Sequence, residues 1–85
     1  MTALERSDEM KYEIIENLGV ISTNKNGWSR EVNIVAWGDN PPKLDIREWS
    51  PDHVKMSKGM TLPLDEVENL CMILHNYMRG KEVKE

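Results

Sequence analysis

The sequence predicts an α+β domain of order ββββα, a four-stranded antiparallel β-meander followed by one C-terminal α-helix, assembled as a dimer. Three observations lead there. Residues 12–49 form three runs of alternating or β-branched character separated by two turn clusters. The second and third runs can be paired so that apolar residues gather on one face. Beyond Leu62 the apolar spacing changes from every second residue to every third and fourth.

Each element has its own warrant. Tyr12, Ile14, Leu18 and Val20, with Ile15 and Ile21 on the other side, make a long first strand ending near Ser22, with Gly19 a candidate bulge. Thr23-Asn24-Lys25-Asn26-Gly27 supplies residues that tolerate the positive φ of a chain reversal. Trp28 to Trp37 reads as strand two, with Val32, Ile34 and Ala36 on one parity and Glu31, Asn33, Val35 and Trp37 on the other. Gly38-Asp39-Asn40-Pro41-Pro42 closes a second hairpin, since its prolines cannot donate to a ladder. Lys43 to Trp49 is strand three.

A loop over residues 38–42 sets Trp37 opposite Lys43, Val35 opposite Asp45, Asn33 opposite Arg47 and Glu31 opposite Trp49. The other parity then pairs Ala36 with Leu44 and Ile34 with Ile46. One face is apolar and is expected to be the core. The opposite face carries Trp37, Lys43, Arg47 and Trp49 and is expected to be wet.

Ser50 to Ser57 is a polar connection, and Lys58-Gly59-Met60-Thr61-Leu62 a short fourth strand. Leu64, Val67, Leu70, Cys71, Leu74, Tyr77 and Met78 form the apolar stripe of a helix over about residues 63–79. Pro63 suits its first turn and Gly80 its stop. Met72 and Ile73 lie off the stripe, which points to a partner helix. The domain is expected to span residues 11–80, with residues 1–10 a flexible N-terminal arm and 81–85 a C-terminal tail.

At 85 residues the chain holds one domain and buries only about 60–65% of its unfolded surface, which makes a shared dimer core attractive. A single cysteine excludes an internal disulfide, and with two histidines it cannot complete a four-ligand zinc site. No metal or cofactor is expected. No apolar run approaches the roughly 20 residues of a membrane helix, and residues 1–10 do not resemble a signal peptide, so a cytoplasmic protein is expected, with no membrane partner.

The net charge of -4 argues against nucleic acid until its distribution is considered. Both ends are acidic. Residues 21–62 hold Lys25, Arg30, Lys43, Arg47, Lys55 and Lys58 against five acids, together with all three tryptophans. Flat indoles interleaved with cations suit unpaired nucleic acid, whose bases stack for about 1–3 kcal/mol each while the cations meet phosphates. Duplexes hide those base faces. Trp37, Lys43, Arg47 and Trp49 are therefore the leading candidates, with Trp28, Arg30, Lys25, Lys55 and Lys58 flanking them. The alternative is a module that binds a protein partner through the same aromatic face.

Catalysis has little support. Cys71 and His75 share a helix face but cannot close a metal site, and Asp52-His53 lacks a marked nucleophile. No glycine-rich phosphate loop occurs. No enzyme activity and no small-molecule substrate are expected.

The run Lys43-Leu44-Asp45-Ile46-Arg47-Glu48-Trp49-Ser50-Pro51-Asp52-His53, followed by Lys55-Met56 and Lys58-Gly59-Met60-Thr61-Leu62, resembles the positive-cofactor-four transcriptional coactivator family, most closely its small bacterial YdbC-like branch. The resemblance runs from about Tyr12 to the end of the helix. It implies a curved four-stranded sheet plus helix, a homodimer, and binding of single-stranded DNA with little sequence preference, in transcription regulation or DNA maintenance; RNA is equally compatible with stacking. It further implies that Trp37 stacks on bases, Lys43 contacts the backbone, Arg47 and Trp49 form a ligand pair on strand three, and Lys58 is a basic position before strand four. The chain lacks the Ser-rich or Lys-rich regulatory extensions of eukaryotic members.

Overall fold

The structure is a computed structural model that describes residues 11–83; the expected arm at 1–10 and residues 84–85 lie outside the described residues. Four strands, β1 (Tyr12–Thr23), β2 (Ser29–Trp37), β3 (Lys43–Trp49) and β4 (Met60–Pro63), form one antiparallel sheet in the order β1-β2-β3-β4. A single helix, α1 (Leu64–Val83), follows directly. The ββββα order is the one expected.

The turns form for the reasons their composition suggests. Asn24 Oδ1 accepts from the backbone N–H of Asn26 and Trp28, and Gly27 takes φ 88°. Gly38 takes φ 58° and donates its N–H to the Lys11 carbonyl. At the fourth strand the boundaries differ from expectation. Lys58 and Gly59 precede β4, and Pro63 ends that strand by pairing with Lys43, so the helix starts at Leu64. Nor does Gly80 stop α1, which continues to Val83 and absorbs the first residues of the expected tail. A lone interior glycine costs a helix only about 1 kcal/mol.

The β2–β3 register also differs. Val35 pairs with Lys43, Asn33 with Asp45, Glu31 with Arg47 and Ser29 with Trp49, a slip of two residues from the expected pairing. The hairpin loop is longer than its proline content indicated. A two-residue slip preserves parity, so every side chain stays on its expected face.

The roles of the two faces are the larger correction. The polar parity, expected to be wet, is the interior of the monomer: Asn33, Val35, Asp45 and Trp49 are fully buried and Glu31 nearly so. Among the described residues the connection at 50–57 covers only the Trp49 end of this face, through His53; elsewhere the sheet curls over itself. Tyr12 and Trp49 pair with opposite ends of the 9-residue strand β2, which a flat strand would separate by about 27 Å. Their rings instead meet with centroids 5.7 Å apart. Three register shifts along β1, after Ile14, Asn17 and Val20, supply the extra residues that let it coil, and Gly19 sits at the second.

The face expected to be the core is only partly covered. Leu44 is buried, but Val32, Ile34, Ala36 and Ile46 are half-buried. Helix α1 touches β3 and β4, leaving Leu64, Met72, Ile73, Leu74, Tyr77 and Met78 exposed. Cys71, expected in the core stripe, is exposed too. The radius of gyration is 15.5 Å, against about 12 Å for a compact domain of this length, so the helix projects from the sheet.

Candidate nucleic-acid interface

Curling brings together residues that are remote in register. The Arg47 guanidinium carbon lies 4.7 Å from the centroid of the Trp37 ring, and Tyr12 meets the same indole at 5.4 Å. Lys43 and Thr61 complete the walls of a shallow, open depression of about 330 Å³ lined by Trp37, Lys43, Arg47 and Thr61. Trp37 and Lys43 are half-buried there and Thr61 is exposed. A flat ring beside an ammonium group and a hydroxyl can hold a planar base next to a phosphate.

Arg47 is held from several sides. Its Nε reaches both Asp45 carboxylate oxygens at 3.1 and 2.8 Å, and Nη2 donates to Oδ1 at 2.7 Å. Nη1 donates to the Ser57 carbonyl at 3.3 Å. Asp45, fully buried, fixes the guanidinium within β3, while the Nη1 bond to Ser57 ties the strand to the connection after it and the guanidinium lies over the Trp37 ring. The expected free cation is thus a clamp that positions the indole.

Trp49 departs furthest from expectation. Its indole is fully buried, so the expectation that it lies open to bases is corrected. The physical reason is the connection at residues 50–57, which folds back as a tightly bonded cap. Ser50 Oγ donates to Asp52 Oδ1 and accepts from the Lys55 N–H, while the His53 N–H donates to the Ser50 carbonyl. His53, at φ 64°, stacks on Trp49 with centroids 4.2 Å apart and planes inclined by 4°. Its Nε2 lies 3.0 Å from Glu31 Oε1.

Glu31 is the centre of a buried polar chain. Ser29 Oγ donates to Oε2 at 2.7 Å, Asn33 Nδ2 donates to Oε1 at 3.3 Å, and Asn17 Nδ2 donates to Asn33 Oδ1 at 2.6 Å. Burial pushes the Glu31 carboxyl up, but the bonds from His53, Ser29 and Asn33 together outweigh it and hold the group below its ordinary value. Both the Trp37 and Trp49 indole N–H groups are buried without an acceptor among the described residues.

The remaining candidates divide by position. Arg30 lies on the opposite face, paired with Glu48 at 2.7 Å. Lys25 and Trp28 belong to the β1–β2 turn, whose Gly27 lies against Pro51, so they and Lys55 border the capped Trp49 rather than the Trp37 depression. Lys58 is exposed just ahead of β4. Tyr12, Thr61 and His53 were missed as site residues. In the sequence Tyr12 carries only a strand signal, and Asp52-His53 suggests an acid–base pair rather than a stacked ring.

The sequence profile of the family described as Transcriptional Coactivator p15 (PC4) matches residues 24–73, which covers β2, β3, β4, the cap and the first half of α1. The chain belongs to the PC4 family. A relative, an uncharacterized protein from Treponema pallidum (strain Nichols), is 44% identical over 70 residues, 82% of each chain. PC4 proteins form a non-enzymatic nucleic-acid-binding family, so a nucleic-acid-binding role follows at that level. No helix among the described residues is long and apolar enough to cross a membrane.

Proposed function

We propose that this PC4 protein binds single-stranded DNA, or RNA of similar flexibility, with little sequence preference and as a homodimer, in transcription regulation or DNA maintenance. The observation that carries the reading is the Trp37 indole, backed by the Arg47 guanidinium and facing an open depression beside Lys43. Stacking on Trp37 holds a base, Lys43 holds the adjoining phosphate, and Lys58 extends the cationic path. Arg47 contributes chiefly by fixing the ring.

Support for the homodimer comes from uncovered apolar surface. The half-buried convex face of the sheet continues into the exposed Ile73, Leu74, Tyr77 and Met78 of α1, across a groove lined by Met60, Leu62, Leu70 and Ile73. A second copy docking helix against helix would bury what the monomer leaves exposed.

A titration of an unstructured oligonucleotide at several salt concentrations tests the reading. With few phosphates held, log affinity should fall with log salt at a slope of about -0.7 per phosphate contact. Binding insensitive to salt would instead favour an aromatic-anchored protein interface.

A further inference from the structure

We infer that His53 presents a second base-stacking position, separated from Trp37 by the Tyr12 ring that touches both indoles, with the buried Trp49 as its backing; this rests on the nucleic-acid reading above. Sealed by its own cap, Trp49 cannot touch a base itself. The imidazole lying on it can. One ring face is covered by the indole at 4.2 Å and 4°, and the His53 side chain nevertheless keeps 41% of its surface open. With one face against the indole, the ring face turned away from Trp49 is the surface we assign to a base.

The ring is also fixed in advance. Glu31 holds Nε2 at 3.0 Å, and the Ser50-Pro51-Asp52-His53 turn is closed by the His53 N–H to the Ser50 carbonyl at 2.8 Å. The Val54 N–H donates to Asp52 Oδ1 at 3.0 Å just beyond it. Pro51 suits the second position of such a turn. His53 adopts φ 64°, a conformation costly for most non-glycine residues, which persists only where the surroundings enforce it. A ring immobilised before binding loses little freedom when a base stacks on it. Lys25 and Lys55 are exposed along the Trp49 end, where a nucleotide's phosphate would run.

The test compares wild type, His53→Asn, His53→Phe and Lys43→Ala for affinity toward a thymidine oligonucleotide long enough to contact both Trp37 and His53, and toward its abasic counterpart. Asparagine tolerates the positive φ but has no ring; phenylalanine keeps a ring but not the Glu31 bond. Circular dichroism checks that each variant is folded. The expected result is a five- to tenfold loss for His53→Asn on the thymidine oligonucleotide, substantial recovery with His53→Phe, and no loss on the abasic strand. Equal losses for both His53 variants, or a His53→Asn effect that persists on the abasic strand, would overturn the stacking role. Undiminished affinity in His53→Asn alongside a clear loss in Lys43→Ala would overturn it while leaving the Trp37 site standing. Absence of wild-type binding would remove the functional reading itself, and with it this site.

Discussion

Arg47 bonds the fully buried Asp45 through Nε and Nη2, and the same guanidinium stands 4.7 Å from the Trp37 ring. One side chain therefore joins the polar interior to the surface where a base would stack. Breaking a buried ion pair from one side strands the other charge, at about 3–5 kcal/mol. Arg47→Ala should lower the urea-unfolding free energy by about 3 kcal/mol, and Arg47→Lys should recover only part of it, because an ammonium cannot reproduce the fork. A loss below about 1 kcal/mol would place Arg47 among ordinary surface ion pairs.

Gly59 lies directly over the same residue. A Cβ there would stand 2.3 Å from Arg47 Cβ and 2.5 Å from the Ile46 carbonyl oxygen. Backbone cannot yield as a flexible side-chain end does, so Gly59→Ala should cost about 1–3 kcal/mol by overpacking. Gly19, with open space around it, serves as the control. A melting temperature for Gly59→Ala equal to wild type would contradict this geometry.

The Glu31 network predicts a pH dependence with a definite sign. A carboxyl held below its ordinary value of 4.5 contributes stability that is fully present above that value and is lost as pH falls through the lower folded-state value. Melting temperatures measured between pH 6 and pH 3 should therefore drop below about pH 4.5 more steeply in wild type than in Glu31→Gln. Parallel curves would show that Glu31 is not responsible.

Association has a direct probe on α1. Ile73 is 64% exposed in the monomer and borders the groove beside Met60 and Leu62. Ile73→Glu should turn a dimer into a monomer in sedimentation equilibrium while leaving monomer packing nearly untouched, since an exposed substitution ordinarily costs within about 0.5 kcal/mol. A wild-type chain that sediments as a monomer at high concentration would contradict the dimer.

The strand order and the face of each side chain were legible because alternation, Asn-Gly turns and the change to helical spacing are local signals. Register proved two residues wrong because the Pro41-Pro42 loop is wider than a tight hairpin, and parity is blind to an even slip. Which face becomes the interior was not legible. Curvature comes from three shifts along β1, and only the one at Gly19 carried a sequence mark. Hence Trp37 and Trp49, alike in sequence context, end up differently: one borders a depression and the other is sealed under His53. Gly80 suits a stop because its local propensity is poor, yet it takes no αL conformation and α1 runs on to Val83.

Stacking of an unpaired base on Trp37 can be read by fluorescence anisotropy of a labelled thymidine oligonucleotide titrated with wild type and Trp37→Ala at low salt, with a duplex of equal length alongside. Wild type should prefer the single strand, and Trp37→Ala should lose about 1–3 kcal/mol of that affinity while keeping its fold. Equal affinity of a folded Trp37→Ala for the single strand, or a wild-type preference for the duplex, would contradict it.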